Sequence, residues 1–133
     1  MVLTHQYLRY EQHSVWGVIS SPTSNLLLLK NNVVVAPALE KVIVWDARRN
    51  TKLNELCDGT STVTALATHD EKTVAVGYTD GSVKIFGIDS QLSSVILSGH
   101  TTSVTTLQYN HDGTKLCSGS LDTNVIVWDV VSQ

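Results

Sequence analysis

Three runs of mostly β-branched residues end in the same way along this chain, at Trp45-Asp46, at Phe86-Gly87 and at Trp128-Asp129. Trp45 to Phe86 is 41 residues and Phe86 to Trp128 is 42, so one period organises the sequence. A unit of that length is one supersecondary motif that cannot bury its apolar surface alone, and it becomes stable only by stacking on like neighbours. The period therefore constrains the fold more tightly than any single residue does.

The runs 41–46, 82–87 and 124–129 are rich in valine and isoleucine and short, which predicts strands. Upstream of the last two lie 73–77 and 115–119; Gly77 recurs 42 residues later as Gly119, and Asp80 as Asp122. Further back, 63–66 matches 104–107 at a shift of 41, each followed by His-Asp, at His69-Asp70 and His111-Asp112. Asp80-Gly81 and Asp112-Gly113 supply the φ > 0 positions of tight turns, and Asn31-Asn32 can do so in the first unit. Each unit is then a sequence of hairpins, with fourth strands expected at 52–56 and 94–97.

The first unit is less regular. Its first strand is expected at 25–30 and its second at 33–36, with Pro37 near the following turn, where a strand end tolerates the missing N–H. Residues 15–19 form either an additional strand that closes a ring by joining another unit, or the opening of the first unit with a hairpin inserted. Only four residues follow Asp129, so the third unit lacks a fourth strand.

A period of about 40–45 residues, with Gly-His near the start of a unit and Trp-Asp near its end, resembles the WD40 repeat, one four-stranded blade of a β-propeller. The expected fold is all-β, with a 1–24 amino-terminal segment carrying the candidate closing strand and blades at 25–57, 58–97 and 98–133. Closed propellers have about four to eight blades. About three blades leave apolar edges open, so the chain reads as an incomplete portion of a larger propeller.

Ser118, His100 and Asp122 are the residue types of a Ser-His-Asp hydrolase. The same residues, with Trp128, fill the places of the buried hydrogen-bonded tetrad of WD40 blades, and the donor and acceptor inventory suits that use. No sequence feature supplies an oxyanion hole or a nucleophile elbow, so the structural tetrad is the preferred reading and no enzyme activity is expected. The second unit keeps Asp80 but has Val76 and Phe86 at the Ser and Trp places, with Asp58-Gly59-Thr60 where Gly-His would fall. The first has Trp45, with Leu39 in place of the Asp. Trp45, Asp46, Phe86, Trp128 and Asp129 together form the blade-end signature.

Twelve acidic and nine basic residues give a net charge of −3, which excludes a broad nucleic-acid footprint. Arg48, Arg49 and Lys52 make the one basic cluster, read either as a solvated turn or as a contact to RNA phosphate or an acidic partner. The histidines lack metal-ligand spacing and no glycine-rich phosphate loop precedes a helix, so neither metal nor cofactor is expected. The longest apolar run, 33–39, is too short to cross a bilayer, and no signal-peptide core opens the chain. The chain reads as soluble, with Cys57 and Cys117 free in a reducing compartment.

Beyond the repeat, Tyr7-Leu8-Arg9-Tyr10, the segment around Trp16, and the stretches 35–38, 42–46, 74–81 and 118–129 resemble the amino-terminal end of the WD repeat-containing protein 3 family, which includes yeast Utp12. That resemblance implies a scaffold subunit of the small-subunit processome, in the nucleus and nucleolus. It further implies association with small nucleolar RNA, other WD40 processome subunits as partners, and a role in 18S ribosomal RNA maturation. The WD40 motif alone also allows a protein-interaction adaptor in another complex, such as a ubiquitin ligase or a trafficking coat.

Overall fold

A computed structural model describes residues 23–57, 61–89 and 93–131. The expected strand at 15–19 and the Asp58-Gly59-Thr60 stretch lie outside the described residues. The secondary structure described is all β: β1 (Leu27–Leu28), β2 (Val33–Ala38), β3 (Lys41–Asp46), β4 (Thr51–Leu56), β5 (Val63–Thr68), β6 (Thr73–Tyr78), β7 (Val83–Gly87), β8 (Ser93–Leu97), β9 (Val104–Tyr109), β10 (Lys115–Ser120) and β11 (Val125–Asp129). They form three antiparallel meanders in chain order, β1 to β4, β5 to β8 and β9 to β11. These are blades one, two and three of a partial propeller, the third with three strands among the described residues.

Blade one departs from expectation in two places. Its first strand shrinks to Leu27–Leu28, pairing only with Val35 and Val34. The second strand runs on through Pro37, which pairs with Val42. Because β1 reaches no further than Val35, the imide nitrogen of Pro37 removes no rung from the ladder on that side.

Each blade buries apolar side chains on a face that meets the next. Between blades one and two, Val35, Val42, Val44 and Leu56 pack on Val63, Leu66, Val74 and Phe86. Between blades two and three, Ala65, Ala75, Val83 and Ile85 pack on Val104, Leu107 and Leu116, with Trp128 and Tyr109 alongside. Asn25 adds a polar stitch between blades one and two. Its amide donates to Leu66 O at 3.0 Å and accepts from Leu66 N at 2.9 Å, so one side chain does the work of a short strand at the inner edge of β5.

The hairpins are headed by aspartates whose carboxylates accept backbone N–H groups two or three residues on. Asp70 takes Lys72 N and Thr73 N, Asp112 takes Thr114 N, and Asp80 takes Ser82 N. These are Asx turns, and they explain why aspartate recurs with the period. Asn32, Gly81 and Gly113 have positive φ, as their types predict, but so do Leu39, Asn50, Glu71 and Thr123. Glu71 stands one period before Gly113 and Thr123 one period after Gly81, so two equivalent turns use a strained side chain where the neighbouring blade uses glycine.

Gly81 has a second constraint, because a Cβ added there would lie 2.5 Å from His100 O and 2.8 Å from Thr102 O of blade three. Gly81→Ala should therefore lower stability by more than about 1 kcal/mol through backbone strain and the clash combined. Thr123→Gly should be neutral or gain up to about 1 kcal/mol, because it relieves a β-branched residue from φ > 0. Chemical denaturation midpoints of the two variants, expected to move in opposite directions or at least to differ by this margin, check the assignment.

Candidate functional site

The densest polar arrangement described lies in blade three, where the loop before β9, the β10 strand, the β10–β11 turn and β11 converge. Trp128 Nε1 donates to Ser118 Oγ at 2.8 Å, His100 Nε2 lies 2.7 Å from the same oxygen, and His100 Nδ1 lies 3.0 Å from Asp122 Oδ2. Every proton finds an acceptor if Ser118 Oγ–H donates to Nε2 and Nδ1–H donates to Asp122, an assignment made from the network. Asp122 Oδ2 also accepts Thr101 N at 3.0 Å, and Oδ1 accepts Asn124 N at 2.9 Å. The carboxylate thus ties the loop carrying His100 to the turn between β10 and β11.

Alternation along the strands puts these groups on one face. Leu116 pairs with Trp128, and Ser118 with Ile126, so Ser118 and Trp128 sit on the side of blade three that meets blade two. Ser118 and His100 are buried. A Cβ on Gly99 would come within 2.8 Å of the Trp128 ring, so the glycine before His100 makes room for the indole. Gly99 is the glycine of the Gly-His pair that the repeat singles out, whereas Thr101 and Asn124, which join through their backbone N–H groups, are participants that residue type alone did not single out.

Burial raises the Asp122 carboxyl, but the N–H groups of Thr101 and Asn124, followed by His100, outweigh it and hold its pKa below the ordinary Asp value. Chemically, the arrangement leaves Ser118 little to attack with. Its oxygen is fully buried and engaged by both Trp128 and His100, so a substrate carbonyl could approach only after the network opened.

The equivalent places in the other blades are filled differently. In blade two, Val76 and Phe86 are fully buried and packed against blade one, while Asp80 takes Ser61 Oγ at 3.0 Å and Ser82 Oγ at 2.6 Å. In blade one, Leu39 stands at positive φ in the two-residue turn Leu39-Glu40, at the place that Asp80 and Asp122 fill in the other blades. The blade-end aspartates close turns: Asp46 Oδ1 accepts Arg48 N at 2.9 Å and Arg49 N at 3.3 Å, and Asp129 Oδ1 accepts Val131 N at 3.2 Å.

The basic cluster is divided by its ion pairs. Lys52 pairs with Glu55, which Lys41 also contacts, while Arg48 and Arg49 remain exposed in the β3–β4 turn with Arg49 Nε 3.9 Å from Asp46. Hydrogen bonds from Lys41 and then Lys52 lower the Glu55 pKa to about 2. His69 and His111 are exposed, but the His69 ring lies against Gly113 and beside Tyr109, so it bridges blades two and three. Burial, and then the charge of Asp70, push the Tyr109 hydroxyl up to about 12. Among the described residues no cluster of His, Cys, Asp or Glu could hold a metal ion, and neither Cys57 nor Cys117 forms a disulfide.

Residues 91–129, from β8 through β11, match the family described as WD domain, G-beta repeat. The chain is a WD40-repeat protein. It is 42% identical over 94 residues to human WD repeat-containing protein 3, covering 66% of this chain and 10% of that protein. It is 31% identical over an alignment of 140 residues to the yeast U3 small nucleolar RNA-associated protein 12, covering 89% of this chain and 15% of that one. The WD40 chain therefore spans only a small part of either relative, and over that part the likeness agrees with the family resemblance in its sequence. Its fold is similar to the computationally designed Ika8 protein, with a TM-score of 0.70 and 31% identity, over 79% of this chain and 32% of the other.

Ser118→Ala should cost about 1–3 kcal/mol of stability, since it leaves the Trp128 N–H without its acceptor; a catalytic serine without a bracing role would leave the denaturation midpoint unchanged. Asp122, with its pKa lower in the folded than in the unfolded chain, contributes stability above its unfolded pKa of about 3.9 that is lost as pH falls through the folded value. The thermal midpoint should hold above about pH 5 and fall below about pH 4, and Asp122→Asn should make that fall shallower.

Proposed function

We propose that this chain is part of a non-enzymatic WD40 scaffold of the small-subunit processome, acting in the nucleolus in small ribosomal subunit biogenesis and 18S ribosomal RNA maturation. The observation that carries the reading is the likeness to the human protein and to the yeast U3 small nucleolar RNA-associated protein, which extends over 89% of this chain in the yeast case. The physical mechanism is positioning. Stacked sheets present turns at fixed spacing, and the His100, Ser118, Asp122 and Trp128 network acts as a brace that holds one blade's turns to its strands.

RNA enters this reading through the particle as a whole. The net charge of −3 gives no general attraction to a polyanion, and Arg48 and Arg49 are the exposed cations that would make a local phosphate contact. The full-length protein should co-sediment with pre-ribosomal particles, RNase treatment should release it, and it should be recovered with other WD40 processome subunits. Recovery solely with ligase or coat subunits would instead identify an adaptor of another process. Replacing Arg48 and Arg49 with glutamate should weaken particle association if the turn touches phosphate and leave it unchanged if the contacts are protein alone.

A further inference from the structure

Arg48-Arg49-Asn50-Thr51 sets two arginines three and two residues before a hydroxyl, and Thr51 is the one Ser or Thr of this sequence that stands three residues after an arginine. With Lys52 and Leu53 these residues form a continuous exposed run through the β3–β4 turn and the start of β4. Lys52 and Lys41 both pair with Glu55. The two arginines are therefore the cations that an approaching protein meets first, Arg49 being 81% exposed despite the Asp46 carboxylate 3.9 Å away.

An enzyme that modifies a side chain within a segment needs that segment extended, whereas this turn is closed. Asp46 Oδ1 accepts Arg48 N and Arg49 N, and Asn50 has a φ of 52°. The ladder shows where the turn can open. Among the described strands β4 lies at the edge of its sheet, with β3 as its neighbour. The register between them slips at Val44 and Trp45, which leaves Leu53 between the rung of Val44 with Asn54 and the rung of Trp45 with Lys52. A bulge of this kind interrupts the ladder. Beyond it only two rungs hold the turn, Trp45 with Lys52 and Asp46 with Thr51. The other side of the bulge is anchored separately, because Leu56 is fully buried and Asn54 Nδ2 donates to Ile88 O of blade two at 2.9 Å. Residues 47–52 can thus lift as a local unit while blade one keeps its core.

We propose that Thr51 is a phosphorylation site for a protein kinase with an acidic substrate groove, and that Arg48 and Arg49 are the residues such a kinase reads. Carboxylates in the groove pair with guanidinium groups through charge-assisted hydrogen bonds, which lysine at the same places would match less well. Thr51 Oγ1 attacks the γ-phosphorus of ATP, so the Oγ1–P bond forms and the bond from that phosphorus to the β-phosphate's bridging oxygen breaks. ADP leaves, and the hydroxyl proton passes to a base of the kinase. The phosphate carries about −1.5 to −2 charge at neutral pH, which offsets Arg48 and Arg49 and removes the local positive charge. The site is independent of which assembly the chain belongs to.

Incubation of the 133-residue chain with magnesium ATP and the catalytic subunit of cyclic-AMP-dependent protein kinase, an arginine-directed enzyme, tests this. Mass spectrometry should place one phosphate per chain on Thr51, and Thr51→Val should take up none. Arg48→Gln and Arg49→Gln should each lower kcat/KM about tenfold or more, the factor that one charge-assisted contact contributes. Circular dichroism checks each fold, and Arg48→Ala and Arg49→Ala replace a glutamine variant that loses it. Hydrogen exchange of the phosphorylated chain should retain protection across 42–44 and 54–56, the rungs inside the bulge. A peptide of residues 46–55 serves as the control in which no turn has to open. Failure of the folded chain to take up phosphate, with or without uptake by the peptide, would overturn the proposal. So would uptake at another residue in preference to Thr51, uptake indifferent to both arginines, or uptake accompanied by loss of protection at 42–44.

Discussion

Packing of one sheet face on the next is the interaction from which the remaining structure follows. A blade of this chain has apolar residues on both faces, as blade two shows by giving Val74 and Phe86 to one neighbour and Val83 and Ile85 to the other. A four-stranded antiparallel sheet with two apolar faces has no solvent side, so it needs a partner on each. The turns, caps and polar brackets of the molecule serve to hold the sheets at the spacing this contact requires. Gly81 lets the blade two turn approach blade three, Asn25 ties blade one to the β5 edge, and His69 lies across to Gly113.

Within that frame, the blades reach internal order by different means. Blade two fills its centre with Val76 and Phe86 and gains from burial alone, each such side chain contributing about 1.5–3 kcal/mol. Blade three uses the equivalent positions for Ser118 and Trp128, and joins them through His100 to Asp122. The polar version adds little net energy per bond, but it is directional, and it connects a loop, a strand and a turn that apolar contacts would leave free to slide. Three residue types with the look of a hydrolase are thus drawn into mutual satisfaction.

Much of this could be read from the period. The placement of all eleven described strands within about two residues at each end depended on alternation and on recurring Asp and Gly, which are local properties. The residue types of the tetrad were legible for the same reason, as positions that repeat relative to the strand ends. What escaped was whatever depends on a neighbour at a distance. Asn25 reads as the start of a strand, yet its amide belongs to Leu66, 41 residues on. Glu71 and Thr123 give no local sign of positive φ; the hairpin geometry imposes it.

The sequence by itself determined the all-β meander, the register of the repeat, and the residues available for a brace in blade three, because each is encoded by alternation and spacing along the chain. Only the tertiary structure decided that Pro37 lies inside β2, that Gly99 must be small to receive the Trp128 ring, and that Val125 and Val127 stand exposed where Val83 and Ile85 are buried. The physical reason is common to all three. Exposure, close approach and the absence of a neighbouring strand are relations between segments far apart in the chain, and the same residues acquire different environments according to what packs against them.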